Sequence, residues 1–509
     1  MKKLFYFLFV ISGFILSGCH KDKKPNSLDL VKDSVFYYAK EDYLWYASLP
    51  SYETFKPRSY TGADDITALT SELDAISQIP INPATNKPYE YYDGTSAKYS
   101  FIDDGTVSDE LNGVQGNFGF APLYNEINDL RIKYVYPGSP ADLAGIKRGY
   151  QITSINGRTN ISYDTDGYGD NSGNNLKFVI NAYSNSNSIS MTLLKPDGST
   201  LTVTNMNVTN YTVNPVLKSA VYDQGNGHKV GYIVFNSFTS GANANPKLDA
   251  AFGNFIASGV TDLVVDLRYN GGGYVSTAEY IDNLIVPTAS SGTLMYNTYY
   301  NDILTTGKES LLKNQVRKDP STGEVYNYGQ FSYTVADNAV NFTKRLNLNV
   351  NRVFFIITGS TASASELTIN NLRPIMDVQF IGSQSYGKPV GFFDIDINKY
   401  QMYIPEFSTK NSANQGDYYA GFTPNTAGYP GVQDYDDVTK EFGDPTEILL
   451  AHALNYVKNG TYTLSIPVIQ SLASKRTTFS VQAQNKLAVK MDKHKFNGLV
   501  FDKKLKLKR

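Results

Sequence analysis

Three short segments carry residue types that could together attack and cleave an acyl bond. The first, Gly359 to Glu366, reads Gly-Ser-Thr-Ala-Ser-Ala-Ser-Glu and follows an apolar strand pattern, Val353–Thr358. Its hydroxyl groups would therefore lie at the carboxyl end of a strand, where α/β sheets place their sites. A helix that opens at this turn and runs to about Leu372 would add unpaired N–H groups and positive potential. The same small residues would also suit an ordinary serine or threonine helix cap.

The second segment supplies a candidate base. Gly387-Lys388-Pro389-Val390-Gly391 follows another apolar strand pattern, Val378–Ile381, and aromatic residues flank the lysine at Tyr386, Phe392 and Phe393. A lysine acts as a general base only if its pKa falls from about 10.4 towards neutrality, which burial among apolar groups can cause. An exposed loop lysine is the alternative, and burial is not visible in a sequence.

The third segment offers backbone donors for a developing oxyanion. Asp266 to Gly273 reads Asp-Leu-Arg-Tyr-Asn-Gly-Gly-Gly and ends another apolar strand pattern. Successive glycines let the backbone approach a ligand and turn its N–H groups inward. An oxyanion hole could then combine the Ala364 amide with one amide of the glycine run, for which we take Gly271 or Gly272. Such a run also occurs in plain turns.

Residue counts exclude several other chemistries. The only cysteine is Cys19, so a thiol nucleophile at the folded site and a cysteine-based zinc site are both ruled out. The four histidines do not follow strand ends beside a carboxylate, and neither a Gly-x-Ser-x-Gly elbow nor a His-Glu-x-x-His motif occurs. We therefore expect no Ser–His–Asp triad, no metal and no cofactor. The net charge of −2 gives no reason to expect nucleic acid.

The elements that would position these segments are read from periodicity. Residues 27–110 have helical spacing and predict a helical N-terminal domain, with helices over 27–48 and over Asp64–Ser77, the latter capped by Asp65 or Thr67. Residues 111–212 alternate short β runs with polar turns. Residues 213–460 alternate apolar strands with helical stretches, among them Pro246–Ser258 and Val275–Ile285, which predicts a layered α/β core. Residues 461–509 contain one β pattern, Tyr462–Ile469, and then a basic tail that is expected to be solvated.

The N-terminus has the pattern of a targeting segment. Lys2 and Lys3 precede an apolar run, Leu4–Leu16, that is too short to span a bilayer. Leu16-Ser17-Gly18-Cys19 resembles a bacterial lipobox, which predicts a signal peptide over residues 1–19, lipidation of Cys19 and a polar tether over 20–26. We expect a cell-envelope lipoprotein bound to the membrane through this anchor. His20 after the cysteine favours the outer membrane, facing either the periplasm or the cell exterior.

Together the three chemical segments resemble the carboxyl-terminal processing peptidases, also called tail-specific proteases. In Thr361-Ala362-Ser363-Ala364-Ser365-Glu366 the resemblance makes Ser363 the nucleophile, and Lys388, 25 positions later, the general base. It implies a serine endopeptidase with a Ser–Lys dyad. It also implies an α+β multidomain fold with a helical N-terminal domain, a PDZ β-barrel-like domain and a layered α/β core related to the ClpP/crotonase type.

The resemblance extends to residues 113–210, which are similar to the family's PDZ domain. Phe118-Gly119-Phe120 resembles its carboxylate-binding loop, and Gly138–Gly149 resembles the helical segment that follows. Amides in such a loop hold the carboxylate of a peptide that adds as an edge strand. The implied partner is a polypeptide, engaged through unstructured or C-terminal segments. A PDZ fold that binds nothing is the alternative.

One residue departs from the family pattern. Many members have a Gln four residues after the lysine that helps to orient it, whereas position 392 here is Phe. Phe392 therefore favours a second hypothesis, a lipid-anchored peptide-binding protein with a weak or silent site. A third, glycan capture, rests only on the 39 tyrosines. A hydrogen bond of about 2.6–3.2 Å between Ser363 Oγ and Lys388 Nζ would mark a competent pair.

Overall fold

The chain was analysed as a computed structural model. It describes residues 27–92, 94–164, 173–319, 322–350, 352–464, 479–491, 496–502 and 505–508. The predicted signal peptide, the tether and Cys19 lie outside these ranges. Within the described residues, no helix combines the length and the apolar character needed to cross a bilayer.

The N-terminal region is mainly helical. Its helices are Ser27–Asp42, Tyr52–Phe55, Asp65–Ser77 and Thr106–Leu111, and its short strands are Ile81–Asn82, Lys87–Pro88 and Phe101–Asp103. The cap of the third helix is Asp64, whose carboxylate accepts the Thr67 N–H at 2.8 Å, so the prediction of Asp65 or Thr67 was wrong by one position or more. Apolar side chains of the first and third helices belong to the same hydrophobic cluster as the central sheet described below, so the two regions share a core.

A five-stranded antiparallel sheet forms the next region. Its strands, in spatial order, are Phe120–Glu126, Asp129–Val135, Gln151–Ile155, Ser188–Leu194 and Thr200–Asn207. The helices Pro140–Leu143 and Asn174–Ser184 accompany it, and Val114–Asn117 pairs with Thr209–Thr212 beside it. The strand Phe120–Glu126, which directly follows the predicted carboxylate-binding loop, is an edge strand of this sheet.

The central sheet carries the predicted chemistry. Its spatial order is Val216–Gly225, His228–Phe235, Asp262–Asp266, Arg352–Ile357, Asp377–Gly382 and Gly431–Gln433; the first pair is antiparallel and the rest are parallel. Alternate side chains of the inner strands enter two different hydrophobic clusters, because successive residues of a strand point to opposite faces. Helices cover both faces: Gly241–Ser258, Val275–Ile285 and Ala364–Leu372 on one, and Ile448–Asn459 on the other. Burial on both faces explains why these strands read as continuous apolar runs.

Smaller elements surround this core. One sheet has the order Ala339–Asn341, Leu294–Tyr300, Phe407–Asn411 and Val390–Gly391, and another joins Ile395–Ile397, Tyr400–Tyr403 and Phe101–Asp103. A hairpin pairs Val316–Lys318 with Val325–Asn327, and a short helix spans Asp302–Thr305.

The C-terminal segment departs from the prediction of a solvated tail. A helix, Val481–Met491, packs on the core of the five-stranded sheet, and a strand, Gly498–Val500, pairs in parallel with Gly272–Tyr274. We call these the C-terminal helix and the C-terminal strand. The charge pattern concealed them because their few apolar residues lie between lysines and are buried only by distant parts of the chain. The described part of the predicted strand 462–469, Tyr462–Leu464, is irregular.

Candidate active site

Ser363 lies at a sharp turn between the strand Arg352–Ile357 and the helix Ala364–Leu372. Its φ is +60° and its ψ is −107°, a backbone conformation that costs a residue with a side chain about 1–3 kcal/mol and that clusters at functional sites. The turn is tied to the glycine segment, because the Asn270 carbonyl accepts the Ala362 N–H and the Ser365 hydroxyl, each at 3.0 Å. Ser363 Oγ is buried and has no hydrogen-bond partner among the described residues. The backbone thus holds the Ser363 hydroxyl in place at the start of the helix.

Lys388 is buried, with 1% of its surface exposed. Its ammonium nitrogen lies 4.0 Å from the centre of the Phe392 ring and donates to the carbonyl oxygens of Asn497, at 2.5 Å, and Tyr99, at 3.5 Å. Desolvation lowers the pKa of Lys388 well below its usual 10.5, although the carboxylates of Glu90 and Glu366 act against that shift. The environment therefore favours a neutral amine, the form that can accept a proton.

Glu366 joins the serine turn to the lysine loop. One of its carboxylate oxygens accepts the backbone N–H groups of Ser363, at 2.9 Å, and Lys388, at 2.8 Å. The other accepts the Gly387 N–H at 2.7 Å and the Ser385 hydroxyl at 2.6 Å. Burial raises the pKa of this carboxyl, and the four donors oppose the rise. Sequence reasoning did not assign Glu366 a role, although an acid three residues after the nucleophile at a helix start was visible.

The structure brings Ser363 and Lys388 together but does not join their side chains. The hydrogen bond between Oγ and Nζ that would mark a competent pair is absent, because Lys388 Nζ donates to the Asn497 carbonyl instead. Phe392 replaces the expected amide with a ring face, which attracts a cation through its quadrupole. Gln384 and Gln401 are near Lys388 in the sequence, but their side-chain amides donate to the Ala420 carbonyl and to the Asp396 carboxylate.

The glycine segment lies against the serine turn. Gly272 has a φ of +114°, where a residue with a side chain would be strained, and a methyl group there would be 3.1 Å from both the Ala364 nitrogen and Ser363 Cβ. The Gly272 N–H donates to the Asn270 side-chain oxygen at 2.9 Å, so its role as an oxyanion donor stays a prediction. The N–H groups of Gly271 and Ala364 donate to no acceptor among the described residues. These two amides are available as donors to an oxyanion.

In the predicted carboxylate-binding loop, the Gly119 amide and the two phenylalanine side chains contact other residues of the chain. The Gly119 N–H donates to the Asn117 side chain at 2.8 Å, and the side chains of Phe118 and Phe120 are buried in the core of the five-stranded sheet. Gly119 has a φ of +80°, and a methyl group there would lie 2.0 Å from Ser139 Cβ. The loop therefore has the expected tight turn, but its glycine amide is satisfied internally.

Two histidines have carboxylate partners that the sequence analysis did not foresee, and His228 Nδ1 lies 3.7 Å from Asp262 Oδ2. His452 Nε2 lies 3.0 Å from Asp434 Oδ2, and its other ring nitrogen lies 2.7 Å from the Tyr462 carbonyl oxygen. Neither ring nitrogen reaches Ser363 Oγ, which has no partner in the described part of the chain. Across the same ranges, no cluster of three or more His, Cys, Asp or Glu side chains could hold a metal ion.

Comparisons with known proteins agree with this site. Residues 229–420 match the model of peptidase family S41, and residues 131–170 match a PDZ domain model. A carboxyl-terminal-processing protease of Picosynechococcus sp. is 30% identical over 179 residues, 35% of this chain and 39% of the relative. The chain thus spans well under half the length of that curated relative.

A solved structure from Bacteroides fragilis, assigned to the S41 proteases, has a TM-score of 0.54 and 23% identity and covers 84% of this chain and 97% of that one. At that identity the likeness shows a shared fold. The predicted family and the predicted α+β fold class with a PDZ domain are confirmed. Residues 229–420 are thus similar to a family S41 peptidase domain and residues 131–170 to a PDZ domain, and part of the chain is similar to a carboxyl-terminal-processing protease.

Proposed function

We propose that the protein is a serine endopeptidase in which Ser363 is the nucleophile and Lys388 the general base. The observation that carries the proposal is the Glu366 carboxylate, which binds the backbone N–H groups of both residues and so fixes a strained serine beside a buried lysine. A buried lysine of lowered pKa and a positioned hydroxyl are the two parts that a Ser–Lys mechanism requires.

In the first half of the reaction, neutral Lys388 accepts the Ser363 hydroxyl proton as Oγ bonds to the scissile carbonyl carbon. The carbonyl oxygen becomes an oxyanion, for which the Gly271 and Ala364 amides are the donors. The Lys388 ammonium then protonates the leaving nitrogen, the C–N bond breaks, and the C-terminal fragment departs. In the second half, Lys388 deprotonates a water that attacks the ester, which releases the N-terminal fragment and regenerates Ser363.

Turnover of casein by the purified full chain tests these assignments. Ser363→Ala and Lys388→Ala should each reduce turnover to background, because one removes the nucleophile and the other the base. Ser360→Ala is the matched control, a buried serine of the same turn, and should retain activity. Casein cleavage that persisted in Ser363→Ala would refute the assignment.

A silent peptide-binding protein is the second candidate. It is favoured by Phe392 and by the missing bond between Ser363 Oγ and Lys388 Nζ. A pure binder would give identical casein turnover in wild type and in Lys388→Ala, together with unchanged peptide affinity. A Lys388-dependent turnover would exclude it.

The proposed substrate is a polypeptide engaged through unstructured or C-terminal segments, which the PDZ domain supports.

We also propose that Cys19 is lipidated and anchors the protein in the cell envelope, at the outer membrane. The support is the Leu16-Ser17-Gly18-Cys19 motif after a short apolar run. Cys19→Ala should move the protein from the membrane fraction to the soluble fraction and abolish labelling by a radioactive fatty acid. Unchanged labelling would contradict the anchor.

A further inference from the structure

The space between the serine turn and the lysine loop is filled by the chain's own C-terminal strand. Gly498, Leu499 and Val500 pair with Gly272–Tyr274, and the Gly498 N–H donates to the Gly271 carbonyl at 3.1 Å. On the opposite side, the Leu499 carbonyl accepts the Phe392 N–H at 2.8 Å, and the Phe392 carbonyl accepts the Phe501 N–H at 2.9 Å. Backbone groups on both sides therefore hold the strand as they would hold an extended peptide.

The C-terminal strand lies next to Ser363 and Lys388. A methyl group on Gly272 would be 2.3 Å from the Gly498 carbonyl oxygen and 3.1 Å from Ser363 Cβ, so that carbonyl, the nucleophile and the Ala364 amide surround one point. One residue earlier, the Asn497 carbonyl accepts from Lys388 Nζ. With the strand in place, Ser363 is fully buried and Lys388 is 1% exposed. A substrate peptide would need the space that the strand occupies.

The C-terminal helix covers the predicted peptide-binding groove of the PDZ domain, as the C-terminal strand fills the space at the nucleophile. Leu487, Ala488 and Met491 join the hydrophobic cluster of the PDZ domain beside Phe118 and Phe120. The Met491 carbonyl accepts the hydroxyl of Tyr183, on the helix Asn174–Ser184, at 2.5 Å. The helix thus packs over the edge strand and the helix between which a PDZ domain takes its peptide.

The C-terminal helix also ties the PDZ domain to the peptidase core. Its Gln484 side chain accepts the Asp436 N–H at 2.9 Å and donates to the Asp436 carbonyl at 3.0 Å. The next residue, Asn485, accepts the Ser383 hydroxyl at 2.9 Å and also the Gly359 N–H at the start of the serine turn. One helix therefore contacts the PDZ core on one side and the neighbourhood of the nucleophile on the other.

We propose that the described C-terminal residues, 479–491 and 496–502, act as an intramolecular inhibitor: the C-terminal helix occupies the PDZ groove and the C-terminal strand occupies the substrate channel. The inference rests on the proposed peptidase function of this site. The strand inhibits rather than serves as substrate because the base donates to the Asn497 carbonyl and is held away from the Ser363 hydroxyl. Displacement of the strand frees both reacting groups at once. A polypeptide that competes for the same backbone donors is the expected activator.

Two aspartate substitutions of the same type test the inference in the purified full chain. Leu499→Asp places a charge where the side chain is 1% exposed and should expel the strand, whereas Leu507→Asp changes a residue that is 53% exposed. If the open form is about 1–10% of wild type, Leu499→Asp should raise kcat/KM on an unstructured peptide about 10–100-fold. Leu507→Asp should leave it unchanged. Equal kcat/KM in wild type and Leu499→Asp would overturn the inference.

Asp502→Ala is a milder second variant in case Leu499→Asp fails to fold. Asp502 is exposed, and its carboxylate accepts the Ser276 N–H at 3.1 Å near the start of the helix Val275–Ile285. Its loss loosens the strand without altering the core, so kcat/KM should rise by a smaller factor. Intact mass spectrometry adds a further check: a wild-type chain that had lost residues 499–509 would make the segment a substrate and overturn the inhibitory role.

A binding measurement separates this inference from the proposed function. In the Ser363→Ala background, a fluorescent peptide with the sequence Phe-Asn-Gly-Leu-Val-Phe-Asp should bind when Leu499→Asp is also present and should not bind when the tail is intact. That result would support the inference even if no variant hydrolysed any peptide. Equal binding to both forms would overturn it, while a Ser363-dependent turnover in wild type would still uphold the peptidase.

Discussion

Replacing Glu366 with Gln tests whether this carboxylate positions the nucleophile and the base. The present carboxylate accepts from Ser363, Lys388, Gly387 and Ser385, all at 2.6–2.9 Å. An amide has only one acceptor oxygen, so its NH₂ group must face one of the two pairs of donors. The better orientation turns the NH₂ group towards Ser385 and Gly387, because the Ser385 hydroxyl can rotate and accept. The Gly387 N–H then has no acceptor.

The magnitude follows from the Gly387 N–H and the Ser385 O–H, which both lose the Glu366 oxygen as their acceptor. A buried N–H without a partner costs about 1–3 kcal/mol, and the bonds that remain lose their charge assistance. Removal of a buried charge returns part of the desolvation energy, so we expect a net loss of about 1–3 kcal/mol in the free energy of unfolding. The neighbouring residue is Lys388, and a shift of about 1 Å in a catalytic group costs on the order of 100-fold in kcat.

The assay measures kcat and KM on an unstructured peptide, with thermal unfolding in parallel. We expect Glu366→Gln to lower kcat about 100-fold and to change KM less than about threefold, since the residue acts through the reacting groups and not on the substrate. Glu406→Gln is the matched control: this carboxylate is equally buried and accepts the Phe393 N–H at 2.9 Å through one oxygen, while its other oxygen has no partner among the described residues. It should keep kcat. A kcat of Glu366→Gln within about twofold of wild type would refute the positioning role.

Three further predictions concern protonation. Because the base must be neutral and burial lowers the pKa of Lys388, kcat/KM should rise with pH and level off well below pH 10.5; a rise that continued to that pH would contradict the burial argument. Phe392→Gln adds an acceptor that stabilises the Lys388 ammonium, so the rise of kcat/KM with pH should move to higher pH. Phe392→Leu removes the ring face, so the same rise should move to lower pH. Equal pH profiles for both variants would show that position 392 does not act on the lysine. Burial by itself would raise the pKa of Asp436, but Arg148 and Arg268 lower it from 3.8 to about 2. The ionised carboxylate therefore stabilises the folded state above pH 4, and this stabilisation is lost as the pH falls towards 2. Asp436→Asn should cost about 2 kcal/mol at pH 7, a difference that thermal unfolding should find narrowing between pH 4 and pH 2.

Much of the fold was predictable because its signals are local. Strands buried on both faces appear as apolar runs, and the helix Val275–Ile285 was predicted with both ends correct. The helix Gly241–Ser258 begins five residues before the predicted start at Pro246, so this proline lies inside the helix, where it removes one backbone hydrogen bond. The sequence thus predicted both of these helices correctly as helices, but it placed the start of one of them five residues too late.

The sequence by itself, through motifs that resemble those of the carboxyl-terminal processing peptidases, predicted Ser363 and Lys388 as the reacting pair. Each follows a strand, and because those two strands are adjacent and parallel in the central sheet, both residues lie at the same edge of it. Only the tertiary structure decided what each one contacts. The acceptor of Lys388 Nζ is a carbonyl more than a hundred residues further along the chain, and a backbone carbonyl carries no sequence signal. Whether the amine of Lys388 lies against Asn497 or reaches Ser363 depends on where the C-terminal strand packs, and local periodicity cannot encode a pairing between such distant segments.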